Sequence, residues 1–141
     1  MAKFELDGFT VSDANVCTAN GGFVGSVTEP TGTIIPAVAG TAITKTGSRT
    51  FLTVASANAA HWVTLPTPVV GDEIWLKNGA TGYEIRSSAP ATIAINGGTG
   101  ASAESAVAAS QLVRLICTSA TTWIATNFHT DGTVSALEAA A

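Results

Sequence analysis

The sequence predicts an all-β protein, an antiparallel β-sandwich or β-barrel carrying an extended N-terminal arm. Three observations carry that expectation. Ala, Thr and Gly fill 60 of the 141 positions, and at this density Thr and Gly oppose long helices while β-branched Thr suits a pleated strand. From residue 42 onward, short runs of alternating apolar and polar residues recur between turn signals, at the roughly 8–12-residue spacing of sandwiches and barrels. Charged residues make up only 11% of the chain, against about 25% in an ordinary soluble protein. Small neutral residues have replaced the missing charge.

Residues 1–40 read as an arm. The stretch TANGGFVGSVTEPTGTIIPAVAGT is punctuated by Gly and Pro, which permit extended segments and turns but no continuous central strand. Its apolar pairs, Phe23-Val24 and Ile34-Ile35, together with Phe9, are candidates for contact with a neighbouring chain. A solvated linker would hold more charge than this segment does.

Residues 41–127 form the predicted β domain. Candidate strands are 42–45, 49–54, 60–65, 73–77, 82–87, 92–95, 106–108, 111–117 and 122–126. Turn residues separate them, and Asn78-Gly79 is the strongest hairpin signal. Residues 128–141 are expected as a C-terminal tail, whose end, DGTVSALEAAA, makes one helical turn or frays.

Alternation sorts each strand into two faces. Val63 with Leu65, Ile74 with Leu76, Tyr83 with Ile85, and Ile93 with Ile95 point inward. The run 111–117 is apolar on both sides, with Val113, Leu115 and Cys117 on one face. Trp62 then sides with Thr64, and Trp75 with Glu73 and Lys77, on the nominally wet faces. Burying an aromatic side chain contributes roughly 1.5–3 kcal/mol, so two outward tryptophans point to a surface that something covers. Trp62 and Trp75 are therefore candidates for an oligomer interface, the competing explanation being cover from the chain's own arm. The direction of Trp123 stays open.

Composition also excludes function classes. A net charge of −4 and six dispersed basic residues oppose nucleic-acid binding. No apolar run reaches membrane-spanning length, and Lys3, Glu5 and Asp7 leave no apolar core for an export signal. Cys17 and Cys117 are accordingly expected as free thiols rather than a disulfide.

No catalytic, cofactor or metal site is predicted. His61 and His129 lack a partner at metal-ligand spacing. Asp72 and Glu73, adjacent on a strand, face opposite ways, which suggests a turn former and a solvated residue. INGGTGASAES lacks the Lys of a phosphate loop and reads as a flexible connection.

The order of the pieces resembles a β-module of tailed-bacteriophage virion proteins. Thr64-Leu65-Pro66, Val70-Gly71, Lys77-Asn78, Thr92 to Gly97, Gln111 to Cys117 and Thr122-Trp123 carry the likeness, over roughly residues 41–126. In short chains the module looks like a capsid decoration (cement) protein, and in longer ones like a segment of a head or tail fibre. The resemblance implies a β-rich fold, a homotrimer, and a non-enzymatic role binding the outer surface of the major capsid protein, on the virion exterior after synthesis in the host cytoplasm. A different class remains open: a glycan- or receptor-binding module with Trp62 and Trp75 as sugar platforms.

Overall fold

The computed structural model describes residues 5–6, 9–11, 17–19 and 31–139. Strands β1 (Glu5–Leu6), β2 (Phe9–Val11) and β3 (Cys17–Ala19) pair as a small antiparallel sheet. The remainder is a sandwich of two mixed sheets that do not close into a barrel. Among the described residues there is no α-helix, only a 3-10 turn over Gly100–Ala103.

The chain zigzags between the two layers. β4 (Thr31–Ile34), β6 (Arg49–Val54) and β8 (Glu73–Asn78) belong to a seven-stranded sheet. The strands between them, β5 (Thr41–Ala42), β7 (Trp62–Thr64) and β9 (Tyr83–Arg86), belong to a five-stranded sheet. The alternation continues with β10 (Ala94–Ile95) in the larger sheet and β11 (Glu104–Val107) in the smaller. β12 (Leu112–Ser119), β13 (Thr122–Phe128) and β14 (Val134–Ala136) then complete the larger sheet as a meander, and β15 (Glu138–Ala139) returns to the smaller.

This path corrects the antiparallel expectation. A chain that changes layer at each turn returns to a sheet running in its former direction, so β4–β6–β8 and β5–β7–β9 pair in parallel. The Asn78-Gly79 pair is likewise no hairpin, because β8 and β9 lie in different sheets. Asn78 is buried instead, donating from Nδ2 to the Ala108 carbonyl at 2.6 Å, while the Gly79 N–H donates to the Val54 carbonyl at 3.1 Å. Those bonds fasten a corner between layers.

The inward sets fill the space between sheets. Thr50, Val54, Ile74, Leu76, Val113 and Leu115 from one layer meet Val63, Leu65, Tyr83, Ile85 and Val107 from the other, and all are buried. Trp123 is fully buried among them. Cys117 closes this layer as a free, buried thiol whose pKa burial pushes up. The side chain of Cys17, in β3, lies outside the described residues.

Four further expectations change. The arm does not reach residue 40, since β4 pairs along β6 and Ala37 bridges Trp62. Ile34 is only 8% exposed and joins the chain's own core, which removes it from contact with a neighbour. Residues 128–139 contain strands rather than a helical turn or tail, because β14 finds a partner in β13 and β15 in β11. The 95–105 stretch is also built: Asn96 takes φ 51° at its turn, and its side chain bonds both the N–H and the carbonyl of Ala125.

Candidate functional site

The two outer faces of the sandwich carry the two outward tryptophans. On the seven-stranded sheet the register places Phe51, Trp75 and Arg114 side by side, with Thr53, Lys77, Leu112, Phe128 and Val134 forming the next row. Aromatic rings flank Trp75: Phe51 and Phe128 each lie 6.0 Å from it between centroids, at interplanar angles of 12° and 21°. The Arg114 guanidinium stands 5.3 Å from the indole centroid. Cross-strand aromatic pairs of this kind are a main source of sheet stability beyond burial alone.

Glu73 organises the charges around that cluster. Its Oε1 accepts from Trp75 Nε1 at 3.0 Å and from Arg114 Nε at 2.6 Å, and its Oε2 accepts from Arg49 Nε at 3.0 Å. Burial pushes the carboxyl pKa up, but the hydrogen bonds from Arg114, Arg49 and Trp75 outweigh burial and hold it below its usual range. Glu73 is thus a bridging anion and not the solvated residue expected from its sequence position. Its neighbour Asp72 is a turn residue, as expected, yet buried and ion-paired to Lys45.

Beside the cluster runs a groove of about 380 Å³ lined by Phe51, Leu52, Thr53, Trp75, Lys77 and Leu112. Ile124 and Val134, on the same outer face, are 42% and 57% exposed. They add exposed apolar side chains to a face that also carries the Glu73, Arg49 and Arg114 charges.

On the five-stranded sheet Trp62 is held differently. Arg86 stacks 3.7 Å from its ring centroid and bridges Glu84 at 2.9 Å and Glu104 at 2.7 Å. Gly40, at φ 79°, packs so closely on the indole edge that any Cβ there would overlap it. The chain's own 37–40 segment and Arg86 therefore cover much of Trp62. A sugar ring stacking on that face of Trp62 would have to displace a guanidinium that two carboxylates hold.

Of the other contact candidates, Ile35 is 64% exposed and Ile34 is in the core. Phe9 lies in β2, its side chain outside the described residues, as are Phe23 and Val24 altogether. A polar cluster at the end of the sandwich has no counterpart among the sequence expectations. There Gln111 Oε1 accepts from Asn127 Nδ2 and the Ala108 N–H, which turns Gln111 Nε2 toward His129 Nδ1 at 2.9 Å. His129 Nε2–H must then donate to Ser135 Oγ at 2.8 Å. In that tautomer the imidazole cannot take a proton from Ser135, so the pair is a strand clamp rather than an activated nucleophile. No local sequence pattern announces it, because it depends on the pairing of β13 with β14.

No family model, curated protein or solved structure matches this chain. Among the described residues, no three His, Cys, Asp or Glu side chains come together as metal ligands would.

Proposed function

We propose that this protein is a non-enzymatic structural component of a tailed-bacteriophage virion, a homotrimer that decorates the capsid and stabilises it by binding the outer surface of the major capsid protein. The observation that carries this proposal is the outer face of the seven-stranded sheet, where Phe51, Trp75, Leu112, Ile124, Phe128 and Val134 leave apolar surface to be covered by another chain. A chain poor in charge gains affinity on a shell through many repeated weak contacts. Three copies can turn one sheet face toward a threefold axis, whereas contacts through both outer faces would stack copies into an open array. Trp75 then lies at the subunit contact, and Trp62, covered by its own chain, lies outside it.

Co-sedimentation with assembled capsid shells of the same virus tests the function. Saturable binding, with shells more resistant to heat when decorated, is the expected result. No binding to intact shells would sink it.

A further inference from the structure

Nearly every charged side chain described is ion-paired within the chain. Lys45 pairs with Asp72, Arg49 and Arg114 with Glu73, and Arg86 with Glu84 and Glu104. Among the charged side chains described, Lys77 and Asp131 are the two without such a partner. Lys77 Nζ, at the mouth of the groove, makes one hydrogen bond, to the Ser110 carbonyl at 2.9 Å. Asp131, in the turn between β13 and β14, uses Oδ1 for the Thr133 N–H and hydroxyl. Hydrogen bonds from Thr133 hold its carboxyl below the usual range, so it is ionised at neutral pH.

Lys77 stands on the outer face of the larger sheet, and Asp131 sits in the turn that leads into Val134 at the far end of the same row. The register runs Lys77, Leu112, Phe128, Val134 across four adjacent strands. Three strand spacings separate the first from the last, roughly 14 Å, so the turn cannot reach the groove of its own chain. One end of the row is a groove with a cation, and the other is an exposed valine at the end of a turn that carries an anion.

We propose that the β13–β14 turn of a second copy seats in this groove, with Val134 against Phe51, Trp75 and Leu112 and the Asp131 carboxylate on the Lys77 ammonium. The contact joins two different patches, as a closed ring of three requires and a twofold contact through one patch does not. It rests on the self-association proposed above and names its residues.

The test is sedimentation velocity on Lys77→Glu, Asp131→Lys and the double variant, each first checked for wild-type folding by circular dichroism. Each single reversal is expected to weaken association by about tenfold or more, and the double reversal to restore it to near the wild-type level. Wild-type association in all three variants would overturn this contact while leaving the trimer standing. Single losses without rescue in the double variant would also overturn it. Scoring the same variants for shell binding keeps the two proposals apart: a wild-type chain that binds shells yet never self-associates refutes the contact and spares the decoration role.

Discussion

The two outer faces of the sandwich solve the same problem with opposite charge arithmetic. Each sets a tryptophan beside ionised side chains on the nominally wet side of a strand. Around Trp75 one carboxylate serves two guanidiniums, Arg49 and Arg114. Around Trp62 one guanidinium serves two carboxylates, Glu84 and Glu104. In the first arrangement the shared ion is stabilised from both sides, and Glu73 stays ionised more readily than a free carboxylate. In the second, burial and the neighbouring Glu84 raise the Glu104 pKa, and Arg86 offsets them only in part. The odd ion out is favoured when it is the single one and penalised when it is one of a like pair.

The largest break in this comparison should come from Arg86→Leu. It leaves two partly buried carboxylates without a cation and strips the stack from Trp62, for a loss of about 2–3 kcal/mol at neutral pH. Denaturant unfolding should show that loss shrinking in acid as the orphaned carboxylates protonate. Glu73→Gln should cost less, about 1–2 kcal/mol, because Arg49 and Arg114 are exposed enough to turn to water. Its pH dependence runs the other way from that of the Glu104 pair. A lowered pKa in the folded state stabilises above the unfolded value, and that stability disappears as pH falls through the folded value. The deficit of Glu73→Gln relative to wild type should therefore close in strong acid.

The smallest effect belongs to Glu104→Gln, within about 0.5 kcal/mol at neutral pH. Its raised pKa means the folded state binds the proton more tightly, so the wild type gains stability as pH falls through the folded value toward the unfolded one. The variant should lack that gain. A parallel pH–stability curve for variant and wild type would break the comparison between faces.

Strand positions and their inward residues were legible because alternation is local. Val63 with Leu65, Ile74 with Leu76, and Tyr83 with Ile85 are buried as the period of two requires. Partnership between strands was not legible, because nothing within 73–87 says that β8 and β9 change layers. That single unknown hid the parallel pairs, the corner at Asn78, and the cluster that brings Phe51, Arg114 and Phe128 around Trp75 from three other strands. Glu73 looked solvated because its cations lie 24 and 41 positions away. The C-terminal strands escaped notice for the same reason, since two or three residues become a strand only when an edge waits for them.

Native mass by light scattering, on the wild type and on Trp75→Ala across a range of concentrations, tests most directly whether another copy of the chain covers the Trp75 face. A wild-type mass near three times 14.1 kDa, falling toward one in a variant that still folds, is the predicted result. A wild type that stays monomeric at every concentration, or a trimer indifferent to the substitution, would contradict it.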